Sequence, residues 1–203
     1  MKLVLASNNA GKLAELQQLL APLGMALVRQ SELGVAEAEE PFFTFLENAL
    51  AKARHASLHS GLPALADDAG LCVDAFDGQP GVDTAHYATR FGYPKGDAHN
   101  VRALLEQLQG RTDRSATLVS TLVAVRHAQD PQPLVAVGRA RGLITTEPRG
   151  SHGFGFDPVM FIPALGCTFA ELTEEVKNAH SHRGQAARHM VQLMREHWLP
   201  AAP

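Results

Sequence analysis

Asp67 and Asp68 are adjacent carboxylates set in an apolar run, with Leu65-Ala66 before them and Leu71-Cys72-Val73 after. Two acids inside a strand-like segment are unfavourable unless something cationic meets them. A hard divalent ion, which takes carboxylate oxygens, is one candidate. A polar hairpin turn is the other reading, because Asp and the following Gly70 favour turns for backbone reasons. This stretch alone leaves both open.

A second polar segment, Ser7-Asn8-Asn9-Ala10-Gly11-Lys12, lies between a short apolar run and a helical pattern. Free backbone amides and the helix dipole make such a place a natural anion site. Gly11 permits close backbone approach. Lys12 puts a positive charge in the first helical turn, against the dipole, and that conflict suggests a ligand. The segment is not a Walker A loop, which needs GxxxxGK followed by Ser or Thr. A plain strand-to-helix turn capped by Asn or Ser is the alternative.

Three further clusters carry chemistry. Glu39 and Glu40 form an acidic loop, either a solvated face or a source of a second carboxylate for the Asp67-Asp68 site. In Ser151-His152-Gly153-Phe154-Gly155-Phe156-Asp157-Pro158, two aromatics alternate with glycines. Aromatics so placed can offer a flat face to a base, or they can be core residues in a turn. Lys177 and Ser181-His182-Arg183-Gly184 form the last cluster, with His182 and Arg183 opening a helix where cations need an anionic or carbonyl partner. The His55/His59 and His180/His182 pairs are weak as metal sites, with nothing like HExxH around them.

These residues need elements to hold them. Leu3–Ala6 predicts a strand, Leu13 to Leu23 a helix closed by Pro22-Leu23-Gly24, and Met25–Arg29 a second strand. Thr44 and Glu47 predict a capped helix to about His59, with Leu46, Ala49, Leu50, Ala53 and Ala56 on its apolar face. Asp77–Gly81 is a dense turn, and Asp97 is expected to cap a helix running to Gly110. Leu118–Val125 and Leu134–Ile144 should pair as a hairpin. Residues 173–198 read as helix interrupted near Ser181. The pattern is one α/β domain, 1–203, with a partly antiparallel sheet.

The chain has 203 residues, 45% of them hydrophobic, enough for one substantial core or two lobes. Net charge is −3, so a nucleic-acid polymer is not the default partner. Cys72 and Cys167 form no CxxC and no disulfide framework, which fits a reducing compartment. The first apolar run is too short for a signal peptide, and no run approaches a membrane span. A cytoplasmic protein with no membrane partner is expected.

The order of the motifs is more specific than any one of them. Ser7-x-Asn9-x-x-Lys12, Glu39-Glu40, Thr44-Phe45-x-Glu47-Asn48-Ala49 with Lys52-Ala53, Ala66-Asp67-Asp68-x-Gly70-Leu71, Pro80-Gly81, Gly153-Phe154-Gly155-Phe156-Asp157-Pro158 and Ser181-His182-Arg183-Gly184 follow one another. Together they closely resemble the inosine triphosphate pyrophosphatase family, the XTP/dITP diphosphatases, over residues 2–195. The resemblance implies an elongated mixed sheet flanked by helices, in two lobes with the active site in the cleft between them. It implies hydrolysis of ITP, dITP and XTP to the monophosphate and pyrophosphate, with Mg²⁺, in a homodimer. Ser7, Asn8, Asn9, Ala10, Gly11 and Lys12 would hold the triphosphate. Asp68 would take the catalytic and metal position, with Lys12 aiding catalysis. Asp67 and a glutamate of the acidic loop, Glu40 ahead of Glu39, would support the metal. Ala69, Phe154, Gly155, Phe156, Asp157, Lys177, His182 and Arg183 would line the nucleotide site. Ser7, Ala69, Phe156 and His86 stand where threonine, serine, tyrosine and arginine are frequent.

The implied reaction is attack of water on the α-phosphorus, with Asp68 positioning or deprotonating the water. A donor from His182 or Arg183 would read the 6-oxo group of hypoxanthine or xanthine. A pyrophosphatase for modified pyrimidine nucleotides, a nucleotide-binding protein that does not hydrolyse, and a purely structural domain are the rivals.

Overall fold

A computed structural model describes residues 2–199. Seven strands are present: β1 (Lys2–Leu5), β2 (Ala26–Arg29), β3 (Ala64–Val73), β4 (Ser115–Val125), β5 (Leu134–Ile144), β6 (Met160–Ile162) and β7 (Cys167–Thr168). They form one sheet in the order β2-β1-β3-β4-β5-β6-β7. β1 is parallel to β2 and β3, whereas β6 is antiparallel to β5 and β7, so the sheet is mixed. β4 and β5 are neighbours joined by residues 126–133, where the buried Asp130 carboxylate accepts from the Arg126 and Gln132 amides. Among the described residues, five α-helices accompany the sheet: α1 (Ala10–Leu20), α2 (Phe45–Ser60), α3 (Asp97–Gln107), α4 (Glu174–His180) and α5 (His182–His197). The fold is α/β.

The chain divides into two compact units. The first comprises the residues up to Asp68, Ser120–Gly138 and the residues from Arg183; the second comprises Ala69–Val119 and Arg139–His182.

In the first unit the strand period of two sorts side chains between two helical layers. Leu3, Leu5, Leu65, Leu122 and Ala124 pack with Leu13, Leu16 and Leu20 of α1 and with Ala186, Ala187, Met190 and Met194 of α5. The alternate residues Val4, Ala6, Ala64, Ala66, Val123 and Val125 pack with Ala49, Ala53 and Ala56 of α2. Thr44 caps α2: its hydroxyl accepts from the Glu47 amide and donates to the Glu47 carboxylate. Leu46, expected on the apolar face, is 45% exposed instead. Asn48 takes the buried place, and its side-chain amide brackets the Phe42 backbone with bonds of 3.0 and 3.1 Å.

In the second unit Leu71, Val73, Leu104, Leu108, Ile144, Met160 and Phe169 anchor the core. Arg114 ties its parts together, donating to the carbonyls of Leu108, Ile144 and Thr145. Asp97 is not the cap of α3. Gly96 holds that position, Asp97 is the first helical residue, and its carboxylate accepts from the Gly155 amide at 2.7 Å. Phe156 is 3% exposed and packs in this core.

Candidate active site

β3 runs unbroken from Ala64 to Val73, which overturns the hairpin-turn reading of Asp67-Asp68. Both carboxylates sit inside a strand and are buried. Successive strand residues point to opposite faces. Asp67 therefore follows Leu65 toward α1 and α5, and Asp68 follows Ala66 toward α2. The two adjacent acids meet different cations for this reason alone.

Asp67 is enclosed. Lys12 of α1 lies 3.2 Å away, Arg183 of α5 donates through Nε at 3.1 Å, and the Ser120 hydroxyl donates at 2.7 Å. Arg183 also donates through Nη1 at 2.5 Å to Glu15, one turn beyond Lys12 on α1. Burial pushes the Asp67 carboxyl up, but Lys12, Arg183, the Ser120 bond and Lys52 together hold it well below the usual carboxylate range. Burial works against the Arg183 charge too, and Asp67 and Glu15 outweigh it, holding the guanidinium above its ordinary value. The cations at the starts of α1 and α5 thus have protein partners, and the dipole conflict at Lys12 and Arg183 is met by Asp67.

Asp68 is different. Lys52 of α2 bonds its Oδ1 at 2.9 Å and also reaches the Asp67 carbonyl and Glu40, each at 3.1 Å. Oδ2 of Asp68 is buried without a hydrogen-bond partner among the described residues. Burial raises the Asp68 carboxyl above its ordinary value, and the neighbouring Lys52 does not fully offset it. Burial lowers the Lys52 ammonium, but Asp68 and Glu40 outweigh that and hold it above its ordinary value. Glu39 is exposed.

Asn9 caps α1 by accepting from the Lys12 amide at 3.1 Å, while Ser7 Oγ accepts from the Asn9 amide at 3.2 Å. Asn8, Asn9 and Ala10 are exposed, and Ser7, Gly11 and Lys12 are half-buried. The Asn9 cap is the one that the plain-turn reading expects, and the segment remains largely open to solvent.

A separate constellation lies in the second unit. The Lys177 ammonium bonds Asp157 at 2.7 Å and lies 4.8 Å from the centroid of the Phe154 ring. The same Asp157 oxygen accepts from the Phe154 amide at 2.9 Å. Any side chain at Gly153 would meet Asp157 Oδ2 at 2.1 Å, so glycine is required there. Phe154 and Gly155 are half-buried, and His182 is buried. Ala69 opens the unit, half-buried on β3.

The Ham1 family model matches residues 3–193. The chain belongs to the Ham1 family. A relative from Acidovorax sp. (strain JS42), called dITP/XTP pyrophosphatase, is 74% identical over 98% of this chain and 97% of its own. A HAM1 protein from Coxiella burnetii shares the fold at a TM-score of 0.89 and 43% identity, over 97% of this chain and 99% of that one. The Ham1 protein of Staphylococcus aureus does so at 0.85 and 33%, with the same coverage. In this chain Lys12, Glu15 and Arg183 gather with Asp67 on one face of β3, and Lys52 meets Asp68 on the other.

Lys52, Glu15, Ser120 and Asn48 were absent from the residues picked out as functional. Lys52 had a readable signal: it shares a helical face with Ala49, Ala53 and Ala56, where a lone lysine points to a buried partner. Ser120 and Glu15 had none, since each meets its partner only through the tertiary fold.

Proposed function

We infer that this protein hydrolyses noncanonical purine nucleoside triphosphates (ITP, dITP and XTP) to the monophosphate and pyrophosphate. The observation that carries the reading is the asymmetry of the acid pair. Asp67 is fully matched by protein cations, while Asp68 keeps a buried oxygen without a partner and a raised pKa. A carboxylate raised toward neutrality is a better proton acceptor. The names of relatives at 73% and 74% identity support the substrate class.

In this reading water attacks the α-phosphorus. Its oxygen forms the new P–O bond, its proton passes to Asp68, and the bond to the α,β-bridging oxygen breaks with pyrophosphate taking the electron pair. Lys12 and the Ser7 to Gly11 segment hold the phosphates, and such electrostatic positioning dominates phosphoryl chemistry. The second-unit set of Phe154, Gly155, Asp157, Lys177 and His182 receives the base. Arg183 is assigned mainly to orienting Asp67.

Among the described residues, no three of His, Cys, Asp and Glu cluster as a metal-ligand set. Mg²⁺ fits nonetheless, because it is commonly held by one or two carboxylates together with substrate phosphates. The unmatched Oδ2 of Asp68 is such a ligand, and Glu40 is the second. When bound, the ion would neutralise phosphate charge. Cytoplasmic residence and a homodimer complete the proposal; the exposed Phe42 and Phe43 suit an interface.

The test is a panel of ITP, dITP, XTP, GTP, ATP and dTTP with Mg²⁺, with the phosphate product identified. Pyrophosphate released preferentially from the first three is expected. Orthophosphate would exclude attack at the α-phosphorus, preference for a pyrimidine would move the enzyme to another substrate class, and binding without turnover would exclude catalysis.

A further inference from the structure

Two consecutive backbone amides at the tip of the 150–158 loop are held by two different carboxylates. The Phe154 amide donates to Asp157 within the loop, and the Gly155 amide donates to Asp97 of α3. The flanks of the loop are secured independently: the Ser151 and His152 amides donate to the Ala170 carbonyl, and the Arg149 amide donates to the Pro158 carbonyl. On the α3 side the tip borders an open pocket of about 400 Å³ lined by Asp97, Val101, His152, Phe154, Gly155 and Pro158. The Asp97 bond is the hydrogen bond that links the Gly155 amide to α3. A carboxylate in the first helical turn is favourable to its own helix, yet this one is also directed outward at a distant amide.

We propose that Asp97 is a positioning residue for base recognition, fixing the Phe154–Gly155 tip through the Gly155 amide so that the Phe154 ring is presented in one orientation. The inference rests on the reading that this loop receives the base. A charge-assisted hydrogen bond of this kind is strong enough to choose between loop conformers. Its loss loosens the ring and its backbone while leaving the Lys177–Asp157 pair and the first-unit residues in place.

The test compares dITP kinetics in the wild type, Asp97→Ala and Asp97→Asn, with inhibition by pyrophosphate measured alongside. Asp97→Ala raises KM by about tenfold, the scale of one lost charge-assisted hydrogen bond, with kcat within about twofold. Pyrophosphate inhibition, which probes the phosphate residues alone, is unchanged. Asp97→Asn keeps an acceptor oxygen and recovers most of the lost KM. An unchanged KM in Asp97→Ala, a loss confined to kcat, weakened pyrophosphate inhibition, or no recovery in Asp97→Asn each overturns the proposal. A wild type that releases no pyrophosphate from dITP brings down the base-recognition reading as well, and so is distinct from those outcomes.

Discussion

Lys52 bonds one oxygen of Asp68 at 2.9 Å, and the other oxygen of that carboxylate is buried without a partner among the described residues. The pair is half complete. Asp67, the neighbouring residue, has every need met by Lys12, Arg183 and Ser120.

Replacing Asp68 separates catalysis from stability. Asp68→Asn removes the proton acceptor and lowers kcat by roughly 10²–10⁴-fold. Because burial raises the folded-state pKa of Asp68, its charge opposes folding: stability is greatest below the unfolded pKa and falls as pH rises through the folded one. Asp68→Asn removes a charge that burial disfavours but also one of the two carboxylates that hold the Lys52 ammonium, so near neutrality its melting temperature stays close to the wild type. Retained turnover would remove Asp68 from the chemistry.

Asp67→Asn has the opposite balance. It leaves Lys12 and the buried Arg183 without their carboxylate, and breaking a buried pair costs about 3–5 kcal/mol. The depressed pKa of Asp67 means its stabilisation is complete above the ordinary carboxylate value of about 4 and is lost as pH falls further. Urea unfolding against pH should show a constant gap between wild type and variant above about pH 5, narrowing below about pH 4.

Lys52→Ala tests the coupling to Asp68 directly. Without its nearest cation the Asp68 carboxyl rises further, so the acidic limb of the kcat/KM profile moves to higher pH. Lys52→Arg should move it less. A profile unchanged in Lys52→Ala would mean that Asp68 does not set that limb.

Glu40 contacts Lys52 at 3.1 Å and is the proposed second metal carboxylate. Chelation should stop turnover and Mg²⁺ restore it. Glu40→Gln should raise the Mg²⁺ concentration for half-maximal rate severalfold, on the order of the loss of one charged ligand. An unchanged Mg²⁺ requirement would remove Glu40 from the metal site.

Arg114 offers a purely structural contrast. Its guanidinium donates to three carbonyls, so Arg114→Met leaves acceptors without their donor and costs about 2–4 kcal/mol. Its urea midpoint should drop while turnover per folded molecule is retained.

The local elements were legible because their signals are local. Thr44 with Glu47, the leucines of α1 and the Pro22-Leu23-Gly24 stop all act within a few residues. Asp97 misled because an acidic residue at a helix start satisfies the capping pattern, whereas its bond runs to a residue 58 positions away. Leu46 misled because hydrophobicity alone does not tell which side of a helix has a partner. The division of labour between Asp67 and Asp68 required the pleat: once both lie in one strand, alternation sends one to α1 and α5 and the other to α2. The pairing of Arg183 with Asp67 and Glu15 is not legible in the sequence, because only the fold brings those acids against it.

The bonds from Arg183 span 116 residues to Asp67 and 168 to Glu15. During synthesis the acids therefore emerge long before their guanidinium does. Before the start of α5 is made, Asp67 has Lys12 and Ser120 within reach but lacks the guanidinium that completes its set. The start of α5 therefore closes a charge assembly whose acids lie far upstream in the chain.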